Sequence, residues 1–184
     1  MNYYIADLHF GHQNALAFDA RPFKTIEEHD QTIINNWNNT VNIDDEVFIL
    51  GDVSWYNVTK TIDIVKSLNG NKHLIIGNHD KKFLKNREFR SLFVEVLDYK
   101  EISFSDGKGI VLSHYPIPCF NHHYYGWYHL YGHVHNSFEW NMMKRVKYEM
   151  EELYDKPCLM FNIGAMLDYM NYMPRTLEEI LETQ

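Results

Sequence analysis

Five short clusters of metal-ligating residue types punctuate the chain, each placed directly after an apolar run. Tyr4-Ile5-Ala6 runs into Asp7-Leu8-His9, Phe48-Ile49-Leu50 into Gly51-Asp52, Leu74-Ile75-Ile76 into Gly77-Asn78-His79-Asp80, Val111-Leu112-Ser113 into His114, and Leu130-Tyr131 into Gly132-His133-Val134-His135. Pooled, these clusters offer two aspartates (Asp7, Asp52), Asn78 and four histidines (His9, His114, His133, His135) as ligands, with no thiolate among them. Imidazole and carboxylate together suit manganese, iron, cobalt, nickel or zinc better than calcium, and the missing cysteines argue against a closed structural zinc site. Seven ligands exceed what one open catalytic ion takes from protein. If Asp52 bridges, the set divides into two groups of four, the arrangement for a pair of ions about 4 Å apart.

Such a cluster needs a scaffold that brings distant loops together. Apolar runs rich in β-branched and aromatic residues at Tyr3 to Ala6, Val47 to Leu50, His73 to Ile76, Gly109 to Leu112, Tyr128 to Tyr131 and Leu159 to Ile163 read as buried strands. A helix is expected from about Thr25 to Asn38, opened by a Thr25/Glu28 capping box and fraying at its Asn-rich end. A second is expected over Thr59 to Leu68, stopped by Asn69-Gly70, and a short third over Thr176 to Glu182. The Tyr and Met residues scattered through 138–173 read only as core and surface filler. Alternating strands and helices, then more closely spaced strands, predict a layered α/β domain on mixed sheets. Ligands gather outside the carboxyl ends of strands in such folds, so all five clusters are expected to face one crevice.

Composition sets the remaining bounds. A chain of 184 residues, 45% hydrophobic and 23% charged, reads as one globular domain spanning 1–184. At this size it buries enough surface to fold without a metal or disulfide, so metal ligands point to function. Cys119 and Cys158 lack metal or redox spacing and are expected as free thiols. The first residues lack a signal-peptide pattern and no apolar run reaches membrane-spanning length, so a cytoplasmic protein without membrane association is expected. A net charge of −8 argues against extended nucleic acid as a partner, without excluding a small phosphorylated substrate.

The five clusters, in this order, resemble the calcineurin-like metallophosphoesterases, whose motifs are Asp-x-His, Gly-Asp, Gly-Asn-His-Asp/Glu, a lone His and Gly-His-x-His. The extension Asp7-Leu8-His9-Phe10-Gly11-His12, followed by Arg21-Pro22-Phe23, is similar to a small bacterial or phage branch of that family. The resemblance implies a four-layer α/β/β/α sandwich, with two mixed sheets between helical layers. It implies that Asp7, His9 and His135 hold one ion, Asn78, His114 and His133 the other, with Asp52 bridging and His79 as the catalytic histidine. The cofactors would be two divalent transition-metal ions, manganese first, with iron, zinc, nickel or cobalt as alternatives.

The chemistry then follows from charge. Two divalent ions bring +4 and Asp7 and Asp52 return −2, so the site would carry about +2 inside an acidic protein and attract phosphate. A water shared by the ions would lose a proton near neutral pH and attack phosphorus in line, with His79 protonating the departing alkoxide. Asp80 is expected either to orient the His79 ring or to cap a helix starting at Lys81. His12 and Arg21 are candidate substrate contacts, Arg21 as a bidentate phosphate clamp. Metal binding should weaken as pH falls through roughly 6.5, where free imidazoles acquire protons. His122, His123 and the Tyr124-Tyr125-Gly126-Trp127 stretch read as a loop packed by its own aromatics, or else as a rim stacking on a base.

Small nucleotide-like phosphodiesters are the favoured substrates. Phosphomonoester or nuclease activity, or a non-catalytic scaffold of the same fold, are the alternatives. No protein partner can be inferred from sequence.

Overall fold

A computed structural model describes residues 1–183. In chain order the elements are β1 (Asn2–Ile5), α1 (Gln13–Phe18), α2 (Ile26–Thr40), β2 (Glu46–Leu50), α3 (Val58–Ser67), β3 (Asn71–Ile75), α4 (Arg87–Arg90), β4 (Glu95–Leu97), β5 (Tyr99–Ser103), β6 (Gly109–Ser113), β7 (Tyr128–Tyr131), α5 (Phe138–Tyr154), β8 (Met160–Asn162) and α6 (Leu177–Glu182). They build two four-stranded sheets, ordered β1-β2-β3-β4 and β5-β6-β7-β8, in an α/β/β/α sandwich.

The first sheet is parallel throughout rather than mixed, and only β5 runs antiparallel in the second. Parallel strands covered on both faces need continuous apolar sequence, which Val47-Phe48-Ile49-Leu50, all buried, supplies. In the second sheet alternate residues face opposite ways. Ile110, Leu112, Leu130 and Phe161 join the core shared with Ile5, Ile49 and Leu74 of the first sheet. Val111, Tyr131 and Met160 instead pack with Val146 and Met150 of α5.

Helix α2 starts where its cap requires: Thr25 Oγ1 accepts the Glu28 N–H at 3.1 Å. The reciprocal contact shifts by one residue, since Glu28 accepts from the Lys24 N–H at 2.9 Å. The expected fraying at Asn38 does not occur and the helix runs on to Thr40. Asn38 donates to Ser67 O at 2.9 Å and accepts from the Asn69 N–H at 2.8 Å, fastening the end of α2 to the end of α3. Helix α5, seventeen residues long, went unforeseen because among its residues only Met150 is buried, leaving a faint apolar stripe.

Parallel pairing brings the carboxyl ends of β1, β2 and β3 to one edge of the first sheet. The second sheet is fastened there through Ala6, whose N–H donates to Ile163 O at 3.0 Å and whose carbonyl accepts the Ala165 N–H at 2.9 Å. The ends of β6 and β7 therefore open into the same crevice. Both cysteines are unpaired, Cys119 exposed and Cys158 buried. No helix among the described residues is long and apolar enough to cross a membrane.

Candidate metal centre

The loops after β1, β2 and β7 bring donor atoms of Asp7, His9, Asp52 and His135 within 4.8 Å of one another, in a buried cluster that could hold a metal ion. His9 Nε2 and His135 Nε2 face each other at 3.1 Å. His9 Nε2 lies 3.7 Å from Asp52 Oδ2, and His135 Nε2 lies 3.7 Å from Asp7 Oδ1. Beside this group, Asn78 Oδ1 is 3.0 Å from His114 Nε2 and 3.1 Å from His133 Nδ1. The other Asp52 oxygen, Oδ1, is 3.7 Å from His114 Nε2. Asp52 thus turns one oxygen to each group. Donors bound to a common ion at about 2.1 Å sit roughly 3–3.5 Å apart at tetrahedral or octahedral angles, so the residues fit such an ion.

Five of these residues adopt the left-handed backbone conformation, with φ of 55° at Asp7, 53° at His9, 54° at Asp52, 69° at His133 and 47° at His135. Non-glycine residues seldom go there, and each instance costs on the order of 1–2 kcal/mol. A mesh of main-chain bonds offsets that strain. The N–H of Asp7 donates to Gly51 O at 3.1 Å, that of His9 to Asp52 O at 3.0 Å, and that of Phe10 to Val53 O at 3.1 Å. The Asp7 carboxylate accepts the His133 N–H at 3.0 Å, tying the two sheets' loops together. Glycine at 132 permits this approach: a Cβ there would stand 2.6 Å from Asp7 Oδ2.

Hydrogen bonds fix which ring nitrogens can ligate. His114 Nδ1 is 2.8 Å from Leu50 O, a carbonyl that can only accept, so the proton sits on Nδ1 and the Nε2 lone pair faces the cluster. His135 Nδ1 is held by Asp19, at 2.9 Å from Oδ1 and 3.0 Å from Oδ2, which likewise leaves Nε2 inward. Burial alone would lower the His135 pKa, but the Asp19 bond and the Asp7 charge raise it above the ordinary histidine value. Burial and the neighbouring His135 drive His9 well below it. Burial and His114 lower His133, and burial raises the Asp52 carboxyl.

Two residues act differently from the sequence expectation. Arg21 does not reach the crevice. Its guanidinium is buried, donating to Asp19 Oδ2 from Nε (3.0 Å) and Nη2 (2.8 Å), to Leu8 O at 3.2 Å and to Asp7 O at 3.2 Å. With every direction of the fork occupied, it braces the first loop instead of clamping a phosphate. Asp80 neither orients the His79 ring nor caps a helix. Fully buried, it accepts the N–H groups of Asp52, Val53 and Gly77, each at 2.9 Å, and so pins the second loop to the third.

A cavity of about 360 Å³ opens over the cluster, lined among others by His9, His12, Asp52, Asn78, His79, His133, Phe18 and Glu139. His79 donates its backbone N–H to Asp52 Oδ1 at 3.0 Å, while its ring, 41% exposed, stands with Nε2 3.9 Å from Asp52 Oδ2. His12 lies parallel on Trp55 with centroids 3.8 Å apart and meets His9 Nδ1 at 3.2 Å. Burial, then the Arg21 charge, pushes His12 down to about 4. The His122–Trp127 stretch lies away from this cavity: His123 and Tyr124 pack against Tyr154 of α5, and Trp127 is buried. Asp19 and Trp55 went unnoticed in the sequence. Asp19 offered a faint signal, an acid two residues before Arg21; Trp55, three residues after Asp52, offered its adjacency to the Gly-Asp cluster.

No family model matches the chain. It is 36% identical over 135 residues to the uncharacterized protein MJ1445 of Methanocaldococcus jannaschii, covering 72% of this chain and 68% of that protein, and belongs to the same family. The gene 66 protein of Mycobacterium phage L5 is 32% identical over 130 residues, which make up 62% of each chain, so under two thirds of the phage protein is matched. The crystal structure of AQ665, a protein of unknown function from Aquifex aeolicus, aligns over 100% of this chain and 99% of its own, with a TM-score of 0.71 and 28% identity.

Proposed function

We propose that this member of the MJ1445 family is a metal-dependent phosphoesterase of the calcineurin-like type, holding two divalent transition-metal ions, manganese foremost, and hydrolysing phosphodiesters. The observation that carries the reading is the split of Asp52, one oxygen toward His9 and the other toward His114. In it, Asp7, His9 and His135 would complete one ion's set and Asn78, His114 and His133 the other's.

When bound, the ions would supply positive charge at the phosphoryl oxygens and acidify a water for in-line attack. The chain's own residues do the rest. The left-handed loops hold their carboxylates and imidazoles before substrate arrives, so no reorganisation accompanies the reaction. A bond forms between phosphorus and the water oxygen, the bond to the ester oxygen breaks, and His79, whose ring is open to the cavity, delivers a proton to the departing alkoxide. His12, neutral and accepting from His9 through Nδ1, carries its proton on Nε2 and donates to a substrate oxygen. Asp80 and Arg21 are positioning residues that hold the second and first loops.

Elemental analysis, followed by turnover of bis(p-nitrophenyl) phosphate and p-nitrophenyl phosphate with added manganese, tests this reading. Bound metal and faster hydrolysis of the diester support it. Metal without turnover of either ester contradicts it and favours a binding scaffold.

A further inference from the structure

The global charge of −8 conceals an uneven distribution. Five of the 17 basic residues, Lys81, Lys82, Lys85, Arg87 and Arg90, fall within ten consecutive positions that begin two residues after His79. All five are exposed. The one acid among those positions, Glu88, is paired with Lys66 at 2.7 Å, and among the described residues none of the five cations has a carboxylate within ion-pair distance. The patch is joined to the cavity, since Lys82 Nζ stands 5.2 Å over the Trp55 ring, which also meets His9, His12 and His79. In the lining of the same cavity, Phe18 is 57% exposed although its ring lies among His12 and His135.

We propose that the substrate is a single-stranded nucleic acid, whose backbone crosses the metal centre and continues along Lys82, Lys81 and Lys85, with a base stacked on Phe18. The inference rests on the phosphoesterase reading and names its substrate class. An open row of cations beside an aromatic platform is how sequence-tolerant strand binding works, the cations tracking phosphates and the ring taking a base face. A single strand fits better than a duplex because Asp52 and His9, in the cavity's floor, are only 2% exposed, a depth that a flexible backbone can enter and a stacked helix cannot. The local footprint supersedes the argument from net charge, because counterions are displaced where phosphate meets lysine.

The test is fluorescence anisotropy with a labelled 12-mer DNA, the matched RNA and the DNA duplex, in chelator so that no strand is cut. The wild-type chain is compared with Lys81→Gln/Lys82→Gln/Lys85→Gln and with a control of equal net charge, Lys24→Gln/Lys108→Gln/Lys156→Gln. Single strands should bind more tightly than the duplex. The patch variant should bind at least tenfold more weakly, with a salt slope smaller by about 2, and the control should match wild type. Phe18→Ala should weaken strand binding without changing the slope. Hydrolysis of bis(p-nitrophenyl) phosphate by wild type, with no strand binding or with binding equal in all variants, overturns this inference alone. Patch-dependent strand binding without turnover of any diester, strand or small ester, overturns the phosphoesterase reading and leaves the surface assigned.

Discussion

Asp19 grips the outward nitrogen of His135, both carboxylate oxygens lying within 3.0 Å of Nδ1, while Oδ2 also receives two N–H groups of the buried Arg21. One acid therefore sets the tautomer of a metal-cluster histidine and neutralises the cation that braces the backbone at Asp7 and Leu8. Asp19→Asn is expected to lower metal affinity by roughly tenfold to a hundredfold, read by calorimetric titration, because the imidazole loses its charged acceptor. It should also cost about 3 kcal/mol in urea unfolding, since Arg21 is left buried without its counter-charge. Unchanged values for both would show that the contact does not matter.

Asp80 predicts a different pattern. Its carboxylate serves three backbone donors, and an amide in its place would turn an NH₂ group against at least one of them. Asp80→Asn should lower stability by about 2 kcal/mol in chemical denaturation and weaken metal binding together, since the Asp52 and Gly77 loops lose their common anchor. A variant with wild-type stability and reduced turnover alone would instead point to proton transfer through Asp80.

The stability of the fold should depend on pH through His129, which does not line the cavity. This fully buried ring donates from Nδ1 to Val111 O at 3.1 Å and accepts the Ile117 N–H on Nε2 at 3.0 Å, so both nitrogens are satisfied in the neutral form. Burial holds it down to about 4. The unfolded chain, with a histidine near 6.5, takes up a proton first. The neutral ring's contribution is therefore complete above pH 6.5 and is lost as pH falls toward 4, by about 3 kcal/mol in all. Urea midpoints at pH 7, 5.5 and 4.5 for wild type and His129→Gln check this, the variant showing the shallower decline.

Gly132→Ala tests close approach separately from ligand identity. Its methyl would stand 2.6 Å from Asp7 Oδ2 and 2.6 Å from the Ala6 side chain, so Asp7 must shift. Metal affinity should fall at least tenfold with every ligand still present, followed by calorimetric titration alongside circular dichroism to show that the fold survives. Wild-type affinity would mean that the loop relaxes freely.

Much of this was legible in the sequence because strand ends carry their own signal. Each of the six apolar runs forms a strand, and the five polar clusters that follow open into one crevice, as the carboxyl-end rule requires. Residues that support the cluster from behind left no such mark. Arg21 looks the same in sequence whether it faces a phosphate or a buried Asp19, and Asp80 looks the same whether it meets a ring or three amides; only the path of the backbone decides. Helix α5 was missed for a related reason, since a helix lying over a sheet with one buried residue shows little periodicity.

The most direct measurement is a crystal structure of manganese-soaked protein with anomalous scattering collected at the manganese edge. Two peaks about 4 Å apart are expected, with one Asp52 oxygen on each, His9 and His135 beside the first and Asn78, His114 and His133 beside the second. A single peak not touching Asp52, or full occupancy at some other place on the chain, would contradict the assignment.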